Sequence, residues 1–277
     1  MQLGIFSKTF VRDTSGEALD AVAAHGLTCV QFNFETAGLA DMPDRFDPDL
    51  CRRIREELTA RDLSMAAVSG TFNMIHPNEE ERAAGMRRLR ALAETCADLG
   101  TAVITLCSGT RSERSMWQAH PDNAEPDAWR DLLAAMEEAV DIAEGEGVIL
   151  AFEPEVSNVA DSARKSRRLL DEIGSQSLKV VMDGANIFHQ GELPRMTDIL
   201  REAFDLLGDS VALAHAKDLD RDGEAGHLAA GTGLLDYDLY LSLLGNLTDE
   251  IPLILHGLEE QQVSESVAFV RSRLGDG

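Results

Sequence analysis

The stretch V-I-L-A-F-E-P-E, running from Val148 to Glu155, decides how this chain is read. Aliphatic residues and a phenylalanine stand between Gly147 and Pro154, the pattern of a short strand buried on both faces, and Glu153 closes it. The layout recurs downstream as K-V-V-M-D (Lys179 to Asp183), V-A-L-A-H (Val211 to His215) and P-L-I-L-H (Pro252 to His256). Each apolar run ends in a group able to bind a metal or carry a proton. If the four strands lie parallel and adjacent, Glu153, Asp183, His215 and His256 converge at one end of a sheet.

Working outward, further strand patterns begin near Gln2, Leu27, Leu63 and Thr101, which makes eight with Val148, Lys179, Val211 and Pro252. Helical spacing fills the intervals: Leu50, Ile54 and Leu58; Met86, Leu89, Ala93 and Cys96; Leu132, Met136, Val140 and Ala143. It continues through Leu169, Leu170 and Ile173, then Ile199, Ala203, Leu206 and Leu207, then Leu239, Leu243 and Leu244, and ends with Val263, Val267 and Val270. Asp47-Pro48 opens one helix as cap and first-turn proline, while Gly26, Gly100, Gly147 and Gly174 follow others. Strand-helix alternation without a linker or composition break predicts an α/β fold, a single (β/α)8 TIM barrel over residues 1–277. The rival is a doubly wound open sheet. No G-x-G-x-x-G follows the first strand, where F-S-K-T-F stands instead, so dinucleotide binding has little support. Barrels place their sites on the face where strands end, and there the segment Arg111 to Pro126 is long for such a loop. It reads either as a cover over the mouth or as an irregular solvated loop.

Composition narrows the partners. The 49 acidic against 25 basic side chains give a formal charge of -24, which opposes nucleic-acid backbones and anionic membranes. The four cysteines, Cys29, Cys51, Cys96 and Cys107, form no C-x-x-C pair and read as reduced, buried thiols. The start, M-Q-L-G-I-F-S-K, lacks the apolar segment of a signal peptide, and no run reaches the ~18 apolar residues of a membrane span, so a cytoplasmic location is the expectation.

Two carboxylates and imidazole nitrogens make a mixed oxygen and nitrogen shell suited to Mn²⁺, Mg²⁺, Co²⁺ or Zn²⁺. Taken singly, each has a blander reading: a strand-end aspartate often caps the next helix, and a buried histidine is often merely hydrogen-bonded. Their recurrence at successive strand ends favours the metal. Other polar groups near strand ends, Gln31, Asn33, His76 and Arg111, are placed to read substrate hydroxyls or, for Arg111, an anionic group through its fork. Trp117 and Phe72 could stack on a sugar face or simply pack; Glu155 and Asn158 stand close enough to support the cluster.

F-E-P-E at Phe152 to Glu155, M-D-G-A-N at Met182 to Asn186, H-A-K-D at His215 to Asp218 and G-T-G-L-L-D at Gly231 to Asp236 resemble the xylose isomerase-like TIM barrels, the sugar phosphate isomerase/epimerase superfamily. The resemblance implies that Glu153, Asp183 and His215 ligate a divalent metal, with Glu153 also a base. It implies a metal-dependent isomerase or epimerase of a small sugar, sugar phosphate or keto-polyol, acting by proton transfer beside a carbonyl through an enediolate. An inosose dehydratase-like lyase on the same metal site and a non-catalytic sugar-binding barrel are the alternatives. Dimers or tetramers are frequent in the superfamily, so a homo-oligomer is compatible with the resemblance. The pattern departs at two points. His256 stands where ketose epimerases carry a second glutamate, and Asn186 where many have histidine. His256 is then expected as fourth ligand, with Glu259 or Lys217 returning or relaying the proton and Asn186 contacting substrate.

Overall fold

The computed structural model describes residues 1–248 and 250–275. Its centre is a ring of parallel strands: β1 (Gln2–Phe6), β2 (Cys29–Phe32), β3 (Ser64–Ser69), β4 (Val103–Cys107), β5 (Ile149–Glu153), β6 (Leu178–Asp183), β7 (Val211–Asp218) and β9 (Pro252–Leu255). Neighbours pair in chain order, β7 joins both β6 and β9, and β9 returns to β1 with Gln2 opposite Pro252. The ring is therefore closed, and the open doubly wound sheet is excluded. A two-residue strand, β8 (Leu228–Ala229), pairs antiparallel with Lys217 and Asp218 beyond the end of the ring. It has no counterpart in the sequence reading, since two residues carry no periodicity.

Helices α1 (Ser15–Ala24), α2 (Pro48–Thr59), α3 (Glu79–Leu99), α4 (Pro126–Glu146), α5 (Ala163–Ile173), α6 (Met196–Leu207), α7 (Tyr237–Gly245) and α8 (Val263–Leu274) surround the ring. Their apolar stripes face the strands and form the main core. Local chemistry sets their ends: Asp47 caps α2 through the Asp49 N–H with Pro48 in the first turn, and Gly100, Gly147 and Gly174 turn left-handed after α3, α4 and α5. Helix α1, whose apolar spacing is weak, starts with a reciprocal capping box between Thr14 and Glu17.

A second, smaller core fills the ring itself. Phe6, Cys29, Ala67, Ala151, Val181, Leu213 and Ile254 form it, with Val103 packed against them. Space there is short: a side-chain carbon on Gly4 would meet Cys29 O at 2.5 Å and Ile254 Cδ1 at 2.8 Å. Because side chains alternate along a strand, the residues two positions beyond this apolar layer also point inward. They are Gln31, Ser69, Thr105, Glu153, Asp183, His215 and His256. A polar layer thus sits directly on an apolar plug at the carboxyl end of the strands. The period of two, applied to the paired strands of the closed ring, is what positions the site.

Candidate metal centre and substrate cavity

Ring order and register bring the four strand-end residues together. Asp183 on β6 lies directly opposite His215 on β7, and one ligand atom from each of Glu153, Asp183, His215 and His256 can be chosen so that all fall within 4.8 Å of one another. All but His256, which is half-buried, are buried. His215 Nδ1 is 3.3 Å from Glu153 Oε1 and 3.6 Å from Asp183 Oδ2. Its other nitrogen, Nε2, meets Gln31 Oε1 at 3.0 Å, and that amide oxygen can only accept, so Nε2 carries the hydrogen and Nδ1 faces the carboxylates. Gln31 is in turn fixed by donating to Ser69 Oγ at 3.1 Å and Thr105 Oγ1 at 2.9 Å. This is the outer support that orients an imidazole ligand. Behind the cluster, the fully buried Tyr240 hydroxyl lies 2.8 Å from Met182 O and 2.9 Å from His215 O, tying β6 to β7 just where Asp183 and His215 project.

Two polar atoms of the cluster are left over. Asp183 Oδ1 accepts the Ala185 N–H at 2.9 Å, but Oδ2 and His256 Nδ1 are buried without a hydrogen-bond partner among the described residues. Lys217 Nζ stands 3.0 Å from Oδ2 and pairs with it by charge. Such atoms are costly unless something binds them. An acceptor-only oxygen and an imidazole nitrogen, beside a second carboxylate and a second imidazole, fit a divalent cation by donor type and by spacing.

The charges respond to this crowding. Burial opposes ionisation of Asp183, yet Lys217 and His215 outweigh it and hold the carboxyl well below the usual carboxylate range. Burial likewise opposes a charged His215, but Glu153 and Asp183 facing the ring raise it to about 9. The Lys217 ammonium is favoured the same way, its desolvation exceeded by Asp183 and Glu153. His256 goes the other way, driven well below its ordinary value by burial and by neighbouring Lys217 and His215. Its neutral ring stacks on Phe6 at 4.3 Å.

Above the cluster opens a cavity of about 340 Å³, lined by Glu153, Glu155, Asn186, Lys217 and His256 from the later strands. Gln31, Asn33, Ser69, Thr71 and Thr105 from the earlier ones complete its floor, with Lys8 and Asp41 also in the lining. Asn186 donates to Glu153 Oε1 at 2.6 Å and accepts the Gly226 N–H. Glu155, pushed up to about 7 by burial, is held by Ser157 N–H and by Asn158, whose amide also donates to Met116 O. That last bond anchors the long 111–126 loop. Met116 and Trp117 of this loop line the cavity, so it reaches over the mouth, with Trp117 still 52% exposed.

Several residues singled out from the sequence lie elsewhere. The Arg111 side chain pairs with Asp131 at 2.8 Å in a separate, larger groove of about 700 Å³, where the described residues form no cluster of metal-binding type. His76 accepts the Asn78 N–H before α3 and does not line the cavity. Glu259 is exposed and forms a capping box with Gln262 in the turn before α8, on the wall of an adjoining groove that shares Lys8 and His256 with the cavity. Phe72 is buried and packs against Gly85. Conversely, Ser69, Thr105 and Thr71 were not picked out, although a polar residue interrupting an apolar strand, as in T-A-V-I-T-L, signals an inward polar layer. Lys8, Asp41 and Tyr240 carry no such signal.

A closed barrel with acidic and imidazole groups gathered at the carboxyl ends of β5, β6, β7 and β9 defines a (β/α)8 protein with a metal-type site at its mouth. The chain belongs to the xylose isomerase-like TIM barrel family, whose model matches residues 19–273. No curated protein sequence matches it. Among solved structures it is similar to a D-tagatose 3-epimerase-like protein, at 14% identity and a TM-score of 0.77, over 100% of this chain and 98% of that one. It is also similar to the IOLI protein with a bound zinc atom, at 16% identity and a TM-score of 0.74 over 100% and 97%. A third likeness is to the probable 3-DHS dehydratase AsbF from Bacillus anthracis, at 12% identity and a TM-score of 0.74 over 97% and 98%. At these identities the likeness is one of fold. No helix among the described residues is long and apolar enough to cross a membrane.

Proposed function

We propose that this chain is a divalent-metal-dependent isomerase or epimerase of a small sugar or keto-polyol, moving a proton at a carbon next to a carbonyl. The observation that carries the reading is the convergence of Glu153, Asp183, His215 and His256 around two buried atoms without a hydrogen-bond partner among the described residues, beneath a cavity of small-molecule size lined by Glu153 and His256. The family and the epimerase-like structural neighbour add support. A cation held by these four residues would supply charge stabilisation to the substrate's carbonyl oxygen.

The chain's own groups do the rest. Glu153, oriented by Asn186, takes the proton from carbon; a positioned base of this kind contributes roughly 10²- to 10⁴-fold. Lys217, an ammonium in the cavity wall, stabilises developing negative charge on oxygen and hands over a proton there. It takes the second proton-handling role ahead of Glu259, which is exposed and does not line the cavity. Met116 and Trp117 narrow the mouth and limit water.

A dehydratase is the second reading, favoured by Lys217 itself. Among the described lining residues it is the cation closest to the cluster, and it could protonate a departing hydroxyl as readily as an enolate oxygen. The test is proton exchange in D₂O. Protein loaded with Mn²⁺ should place deuterium beside the carbonyl of at least one ketose or cyclic keto-polyol. Glu153→Gln should slow this by about a hundredfold or more, with metal content measured in parallel. Appearance of an unsaturated ketone selects the dehydratase. Full turnover by the metal-loaded variant, or no exchange on any compound, ends the proposal.

A further inference from the structure

The two imidazoles of the cluster are held in different ways. His215 is braced by a hydrogen bond: its Nε2 meets Gln31 Oε1 at 3.0 Å, and Gln31 is itself tied to Ser69 and Thr105. His256 has no such brace among the described residues, and its Nδ1 is buried without a hydrogen-bond partner. Its backbone is held, the N–H donating to Ala216 O at 3.1 Å, so rotation of the side chain is the freedom that remains. An imidazole left to rotate gives up conformational entropy when it takes a cation.

A phenyl ring restrains it. Ile5 lies opposite Leu255 where β1 pairs with β9, and one residue further on in each strand come Phe6 and His256. Their rings stack with centroids 4.3 Å apart and 22° between planes. Phe6 also makes a T-shaped contact with His215 at 5.3 Å, and the two imidazoles meet in the same way at 5.1 Å. Phe6 is 8% exposed and packs into the apolar plug with Cys29, Val181 and Ile254, so it is a rigid platform and not a second loose ring. At stacking distance a turn of His256 about its Cβ–Cγ bond would drive the edge of the imidazole into the phenyl face, which needs a wider separation. Phe6 thus does by packing what Gln31 does for His215 by hydrogen bonding. The four donors stand at the ends of β5, β6, β7 and β9, while both orienting groups come from the strands that open the chain, β1 and β2.

Resting on the metal centre of the function proposed above, we infer that Phe6 is a positioning residue for that centre: its ring fixes the plane of His256, so that Nδ1 is presented before the cation arrives.

Calorimetric titration with Mn²⁺ tests this. Phe6→Leu keeps apolar bulk and removes the flat face; it should lower Mn²⁺ affinity by about 10- to 100-fold, the loss usual when the outer support of a metal ligand is removed. Circular dichroism and urea unfolding check that the variant is folded. A merely structural role is separated by repeating the substitution in a His256→Ala background, where Phe6→Leu should change the remaining affinity by less than about twofold. Parent-like affinity in Phe6→Leu overturns the inference, as does a loss of the same size with and without His256. A second readout needs no change at Phe6. In proton NMR spectra of the parent, the carbon-bound ring protons of His256, assigned by their disappearance in His256→Ala, should lie upfield of ordinary histidine positions through the Phe6 ring current, with and without Zn²⁺. Ordinary positions also overturn it. A parent that binds no divalent cation ends the functional proposal together with this inference, whereas Mn²⁺ binding without deuterium exchange refutes proton transfer alone.

Discussion

Titrating Mn²⁺ into the metal-free protein at pH 7 should release a proton, and His215 should be its main source. With Glu153 and Asp183 facing Nδ1, the imidazole titrates at about 9, so about 99% of it is protonated at pH 7. A ligating nitrogen must be neutral, and the proton has to leave when the cation arrives. Displacing it two units below its pKa costs about 2.7 kcal/mol, roughly a hundredfold in affinity. Asp183 and His256 add nothing, because both are held low and are already deprotonated. Glu155, at about 7, is about half protonated there, and a nearby cation draws on that proton too, so the total falls between about 1 and 1.5. The sign follows: apparent affinity rises with pH by about tenfold per unit while His215 is charged, and flattens above about 9. Calorimetry in buffers of different ionisation enthalpy at pH 6.5, 7.5 and 8.5 counts the protons directly. Release of less than about half a proton at pH 7, or an affinity independent of pH, would refute the assignment of His215 as a charged group that becomes a ligand.

Two further outcomes rest on packing. Tyr240→Phe removes the hydroxyl shared between Met182 O and His215 O, leaving buried carbonyls short of a donor; urea unfolding should show a loss of about 1–3 kcal/mol, and Mn²⁺ affinity should fall with it. Unchanged stability would show that the bridge between β6 and β7 is dispensable. All four cysteines are free and buried, and burial pushes the Cys29, Cys96 and Cys107 thiols up to about 12. A thiol reagent at pH 8 should therefore find almost nothing to react with until denaturant is added, and a fast native phase would contradict that.

The strands were legible because each is an apolar run too short for a helix, and the site because those runs stop on a carboxylate or an imidazole. Both signals are local. The period of two that sets Ala151 beneath Glu153, and Ile254 beneath His256, is also written in the chain, although only register across strands makes it a layer. Helix α1 is marked by the Thr14–Glu17 box more than by its weak apolar stripe. Contacts with no local signature escaped. Arg111 stands after a strand end just as His256 does, and nothing in its neighbours in sequence tells that Asp131, on the next helix, has captured it. Asp41 sits in a loop whose path over the mouth depends on the whole ring, and Gln31 reaches His215 through the interior of the barrel, not through any spacing along the chain.

The pairing of β1 with β9 gives the centre a temporal character. His256 follows the strand that completes the circle, next to the strand with which the chain begins. A chain in which β9 has not joined β1 and β7 does not hold His256 beside Glu153, Asp183 and His215. Cation capture by all four donors is thus a report that the ring has closed.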